Sequence, residues 1–77
     1  MKVSINDVRR LVNEINEKNG FDKVAYNTIG ALHLYSDGCG LAIDKIMNES
    51  GGVSRLAGGG LTKNEAYYYL VGVLASN

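Results

Sequence analysis

Two helix-start signals, one near each end of the chain, place the strongest constraint on the fold. Ser4 is followed three residues later by Asp7, and Thr62 is followed at the same spacing by Glu65. A hydroxyl at the N-cap and a carboxylate three positions on can exchange hydrogen bonds with each other's backbone N–H groups. Asn19-Gly20 is typical of a helix end, because glycine adopts the left-handed conformation without strain. The sequence therefore predicts a helix near each end of the chain.

Both predicted helices carry an apolar stripe at helical spacing. The stripe of the first helix consists of Ile5, Val8, Leu11, Val12 and Ile15. That of the second consists of Ala66, Leu70, Val73 and Leu74, bordered by Tyr67 and Tyr69. Tyr68 falls on the opposite side of the second helix, so we expect its ring to be exposed and the other two tyrosines to pack at the edges of the core.

The middle of the chain alternates between apolar and polar residues, which predicts strands. Residues 23–29 and 31–35 read as extended, with Gly30 either a bulge in one long strand or a break between two short ones. Turns are predicted at 36–40, around Asp37-Gly38, and at 48–52, with strands at 41–47 and 53–57. Leu41 and Ile43 share a face that excludes Ile46, so either a bulge intervenes or both faces are partly covered.

These elements predict one α+β domain spanning residues 1–77. Its order is helix, a three- or four-stranded antiparallel meander, and helix (αβββα), with both helices on one face of the sheet.

Composition argues against several functional classes. The 77 residues include eight basic and eight acidic side chains, so no net field attracts nucleic acid or anionic lipid. The single cysteine permits no internal disulfide, which suits a reducing compartment, and no apolar run is long enough to span a bilayer. We expect a cytoplasmic protein without membrane association.

No residue pattern points to catalysis. His33 and Cys39 are the only histidine and cysteine, and a hairpin tip offers them no pocket. Gly58, Gly59 and Gly60 precede a helix, but the stretch lacks the spacing of a phosphate-binding loop, and anion binding there stays open. No metal-ligand spacing is recognisable. The sequence predicts a protein that is not an enzyme and binds no cofactor or metal.

The start of the last helix resembles the double-stranded RNA-binding domain, whose last helix opens with G-x-G-x-S-K-K-x-A-K. The matching residues are Gly58, Gly60, Thr62, Lys63 and Ala66. The resemblance implies the αβββα topology. Of the family's three lysines only Lys63 is present, with Asn64 and Tyr67 at the other two positions. Because phosphate contacts supply most of the affinity for duplex RNA, we carry over the topology and not the activity.

A second resemblance is to small uncharacterised proteins of bacteriophages and prophages. It rests on "NESGGV" at residues 48–53 and "LTKNEAYYYL" at residues 61–70. It implies a compact accessory or inhibitor protein that acts through its surface.

The leading functional hypothesis is a small interaction protein that binds another macromolecule, expected to be a protein, through the open sheet face or the last helix. Tyr68, Lys63 and Arg55 are the candidate residues of that surface. The alternatives are a degenerate double-stranded RNA-binding module and a self-associating structural protein such as a homodimer, since a sheet face and an edge strand stay uncovered.

Overall fold

The computed structural model describes residues 2–21, 23–25 and 27–76 of the chain. It confirms the α+β class and the αβββα order, with elements α1 (Ile5–Lys18), β1 (Leu32–Asp37), β2 (Gly40–Ile46), β3 (Val53–Leu61) and α2 (Lys63–Ser76). The three strands form one antiparallel sheet in the order β1-β2-β3. Of the two predicted alternatives, the described residues therefore form the three-stranded meander.

Both helices begin at the predicted capping residues. The Ser4 backbone N–H donates to Asp7 Oδ2 at 3.0 Å, and the Asp7 N–H donates back to Ser4 Oγ at 3.2 Å. Thr62 and Glu65 make the same reciprocal pair at 3.0 and 3.1 Å. Because the Thr62 N–H stabilises the ionised carboxylate, the pKa of Glu65 lies below its ordinary value. Each of these hydrogen bonds joins residues only three positions apart, so both helix starts are defined by local interactions.

One hydrophobic core joins the helices to the sheet. Its buried members are Val3, Val8, Val12, Ile15, Leu32, Leu41, Ile43, Ala66 and Leu70. Because the two helices share these core partners, the cluster is consistent with both helices covering one face of the sheet. Leu11 and Val73 from the predicted stripes are half-buried at its margin.

The three consecutive tyrosines of α2 lie as the helical stripe predicts. Tyr67 and Tyr69 are half-buried against the core, whereas Tyr68 is 59% exposed. The triplet is therefore not a single aromatic cluster.

The predicted strand at 23–29 is wrong. The described residues of this stretch form a turn, in which the Ala25 N–H donates to Thr28 Oγ1 at 2.8 Å and the Thr28 N–H donates to the Ala25 carbonyl at 3.1 Å. Tyr26 lies outside the described residues. Gly30 follows with φ of +92° and donates its N–H to the Ile46 carbonyl, and β1 begins two residues later at Leu32. Gly30 is thus neither a bulge in a long strand nor a break between two strands.

The last strand is longer than the predicted 53–57, because β3 continues through the glycine triplet at 58–60. Gly58 has φ of +124°, and a Cβ atom there would lie 2.5 Å from the Ala42 Cα of β2. Only glycine permits that approach. The pairing of β2 with β3 has two register shifts, and the extra residues at both lie in β3. Residues 41–44 and Ile46 are all buried, so β2 itself is not bulged and is covered on both faces.

Candidate interaction surface

The face of the sheet turned away from the core carries side chains from all three strands. In the pairing register His33 lies opposite Asp44, and Asp44 lies opposite Arg55. Ile43, the neighbour of Asp44, belongs to the core, so the alternation of side chains places Asp44 on the other face. Tyr35 and Val53 lie on the same side as Asp44. We call His33, Tyr35, Asp44, Val53 and Arg55 the open face.

A buried carboxylate organises the centre of the open face. The side chain of Asp44 is only 3% accessible, and the Arg55 Nε–H donates to its Oδ1 at 3.0 Å. The Arg55 guanidinium carbon also lies 5.5 Å from the centroid of the Tyr35 ring, within cation–π range. A carboxylate withdrawn from water needs such a partner, because an unpaired buried charge is strongly destabilising. Arg55 is thus held by Asp44 and Tyr35 while 47% of its side chain stays accessible.

Apolar groups surround this charged centre. Tyr35 is 42% exposed and Val53 is half exposed. Leu56, the extra residue at a register shift in β3, is also exposed. His33, Ile46, Gly51 and Val53 line a hollow of about 90 Å³ at one end of the face. The open face therefore combines accessible aromatic and aliphatic surface with an ordered cation.

The three residues predicted to form the interaction surface do not lie together. Arg55 is at the centre of the open face. Lys63 is the first residue of α2 and borders a cleft beside the β1–β2 hairpin. Tyr68 lies on the outer side of α2, where its ring meets that of Tyr67 edge-on at 5.5 Å. Since α2 packs against the core side of the sheet, Lys63 and Tyr68 belong to surfaces separate from Arg55.

Sequence reasoning missed Tyr35, Asp44 and Val53 as parts of this surface. One signal was available, since Asp44 is an acidic residue in the middle of the strand "GLAIDKI". A carboxylate flanked by core positions implies a charged partner on a neighbouring strand. The identity of that partner depends on the register of β3, which the sequence pattern did not specify.

His33 and Cys39 do not form a catalytic pair. His33 is exposed near the start of β1, whereas Cys39 lies in the two-residue loop beyond the other end of the strand. The four residue-to-residue steps from His33 to Asp37 along the strand span about 13 Å. Among the described residues, no group of three or more His, Cys, Asp or Glu side chains is placed to hold a metal ion.

The glycine triplet does not form a loop ahead of α2, because Gly58 pairs with β2 inside the sheet. The N-terminus of α2 is instead capped by Thr62 and Glu65. Within the described ranges, neither helix is long and apolar enough to cross a membrane.

Comparisons with known proteins give no further guide to function. No protein-family model matches the chain, and neither the curated proteins nor the solved structures contain a match.

Proposed function

We propose that this chain is a small non-enzymatic interaction protein that binds another protein through its open face. The observation that carries the proposal is the assembly of Tyr35, Arg55 and Asp44. Tyrosine and arginine are enriched among the residues that dominate binding energy at protein interfaces. Since Asp44 and Tyr35 already restrict the Arg55 side chain, less side-chain entropy is lost when a partner docks on it.

The charge of the open face favours a protein partner over a nucleic acid. The positive charge of Arg55 is balanced by Asp44 at 3.0 Å, and the chain as a whole is neutral. Binding to a phosphate backbone relies on several uncompensated cations. A neutral centre within aromatic and aliphatic surface resembles instead the core of a protein–protein interface, where charged residues are few.

The resemblance to bacteriophage and prophage proteins supports a role as an accessory or inhibitor protein. Part of the matching sequence, "NESGGV", adjoins the open face. The Asn48 Oδ1 accepts hydrogen bonds from the N–H groups of Ser50 and Gly52 at 3.0 and 2.9 Å, which shapes the turn leading into Val53. Gly51 and Val53 then line the hollow beside His33. The turn thus supports one end of the proposed binding surface.

The experiment compares two exposed tyrosines on different surfaces. A partner captured from a bacterial lysate is identified by mass spectrometry, and its affinity is then measured for the wild type, Tyr35→Ala and Tyr68→Ala. We expect Tyr35→Ala to weaken binding by at least about 30-fold, since a hot-spot tyrosine contributes about 2 kcal/mol or more. Tyr68→Ala should bind like the wild type. Loss of binding in Tyr68→Ala alone would move the interface to α2 and refute the proposal.

Self-association is the second candidate function, and the exposure of β3 favours it. This strand forms one edge of the sheet, so its outer backbone groups have no neighbouring strand among the residues that the structure describes. Val53 and Leu56 are exposed on it, and Arg55 is its only charged residue. Edge strands without protective charges tend to pair with another chain. Light scattering that gives a dimer mass for the wild type and a monomer mass for Leu56→Lys would favour this candidate, and a monomer at all concentrations would exclude it.

A further inference from the structure

The outer edge of β1 faces α1, and its backbone groups alternate in direction. The two-residue loop between Asp37 and Gly40 makes these residues a hydrogen-bonded pair at the end of the hairpin. Because the direction of the backbone groups repeats every second residue along a strand, Tyr35 and His33 also direct their N–H and C=O groups toward β2. Leu34 and Leu32 therefore direct theirs outward, away from the sheet.

Asn16 of α1 already bonds to one of these outward positions. The Leu32 N–H donates to Asn16 Oδ1 at 2.8 Å, and Asn16 Nδ2 donates to the Leu32 carbonyl at 3.1 Å. Asn16 is 2% exposed, so both bonds are withdrawn from water. Its carboxamide makes the two hydrogen bonds that a peptide group of an adjacent strand would otherwise make. The side chain of Asn16 thus substitutes for one residue of a missing neighbouring strand.

The next outward position, Leu34, lacks such a substitute. In the described part of the chain, no side chain bonds to the outward N–H or C=O of Leu34. A cleft of about 270 Å³ opens beside it. Its lining residues are Arg9, Val12, Asn13 and Asn16 from α1, Val24, and Leu32, His33 and Leu34. Val12, Leu32 and Leu34 make the floor of this cleft apolar, while Arg9 and Asn13 are exposed polar residues beside it.

We propose that this cleft, the α1–β1 cleft, binds an extended peptide segment with an acidic residue, which adds to β1 as a short further strand. The segment bonds through its own backbone to Leu34, in line with the bonds that Asn16 makes to Leu32. An apolar side chain of the peptide packs on the floor of the cleft. Arg9 takes part in no ion pair with the described residues and meets the peptide carboxylate. The α1–β1 cleft lies between the sheet edge and α1, so this inference does not depend on binding at the open face.

The probe is an acetylated pentapeptide of sequence TVTVE, titrated into the ¹⁵N-labelled full chain. Alternating threonine and valine favour the extended conformation, and the terminal glutamate supplies the carboxylate. With so few hydrogen bonds we expect a dissociation constant of about 1 mM. The amide signal of Leu34 should shift most, together with those of the α1 residues that line the cleft. The amides of β3 should not move.

Two controls separate strand addition from loose association. A peptide N-methylated at both valines cannot donate the backbone hydrogen bonds and should cause no saturable shift. In the protein, Arg9→Gln should weaken binding by about threefold, the size expected for an exposed ion pair. Arg10→Gln is the matched control, because Arg10 is exposed on α1 but does not line the cleft, and it should bind the peptide like the wild type.

Three results would overturn the proposal. The first is the absence of saturable shifts up to about 10 mM peptide, which corresponds to binding weaker than about 3 kcal/mol. The second is a shift pattern centred on Asp44 of the open face or on β3, away from the residues that line the cleft. The third is equal binding of the N-methylated peptide.

Discussion

The two hydrogen bonds between Asn16 and Leu32 lead to a specific prediction about stability. Replacing Asn16 with Ala leaves the N–H and the carbonyl of Leu32 without their partner, while the backbone around Leu32 stays buried. Each buried polar group left unsatisfied costs about 1–3 kcal/mol, so the two together cost about 2–6 kcal/mol. The higher helix propensity of alanine offsets up to about 0.7 kcal/mol of this loss. We expect the free energy of unfolding to fall by about 2–5 kcal/mol.

Urea denaturation measures this loss. A domain of this size has a denaturant slope of about 1 kcal/mol per molar urea, so the midpoint should fall by about 2 M or more. Since small domains are stable by only about 5–15 kcal/mol, a loss at the upper end would leave little folded protein. Amide hydrogen exchange gives a second reading, because the Leu32 amide should lose its protection in the variant even where the fold persists.

Asn13→Ala is the matched control, since Asn13 lies on the same helix and is exposed. The same chemical change there should alter stability by no more than about 0.5 kcal/mol, and the higher helix propensity of alanine favours a small gain. The reasoning is refuted if Asn16→Ala destabilises no more than Asn13→Ala, or if Leu32 keeps its exchange protection. Either result would show that the carboxamide does not bond to the edge of β1 in solution.

Three further predictions concern the last third of the chain. Gly58→Ala should lower the free energy of unfolding by about 2–5 kcal/mol, because the new Cβ would meet a β2 Cα at 2.5 Å in addition to backbone strain. Gly59→Ala, which meets no atom within 4 Å, should cost only the strain, and equal losses would contradict the proposed contact. The folded-state pKa of Glu65 is depressed, so its contribution to stability should be present above its ordinary pKa and disappear as the pH falls through the folded value. When the urea midpoint is measured at decreasing pH, it should fall less in Glu65→Gln than in the wild type. An equal fall in both proteins would count against the capping interaction. Duplex RNA at physiological salt should show no saturable binding tighter than about 10⁻⁴ M; salt-sensitive micromolar binding that is lost in Lys63→Ala would promote the RNA-binding alternative.

Both helices can be predicted from sequence alone, because their signals act over three or four residues. Ser4 with Asp7, and Thr62 with Glu65, form their hydrogen bonds within a single helical turn. The exposure of Tyr68 follows equally from the helical period once the apolar stripe is known. Such features require no knowledge of which distant segment packs nearby, so the sequence pattern is sufficient to predict them.

The extent of the strands, in contrast, depends on long-range packing. Residues 23–25 and 27–29 alternate in polarity like a strand, yet the Thr28 side chain closes a local turn there. The glycine triplet has the composition of a linker, yet it extends β3 because β2 lies too close for a side chain at Gly58. Alternation of polarity describes the spacing of side chains, whereas strand formation also requires a partner strand in a suitable register.

Both proposed binding surfaces depend on contacts between residues that are distant in the sequence. Arg55 meets Asp44 only because two register shifts set the pairing of β2 with β3. Asn16 meets Leu32, sixteen residues away, only because α1 packs beside the edge of β1. Each contact stabilises the fold because it pairs polar groups that would be costly to bury alone, and which groups are withdrawn from water together is fixed by the packing of the whole domain. The local sequence pattern therefore does not predict that Arg55 pairs with Asp44 or that Asn16 pairs with Leu32.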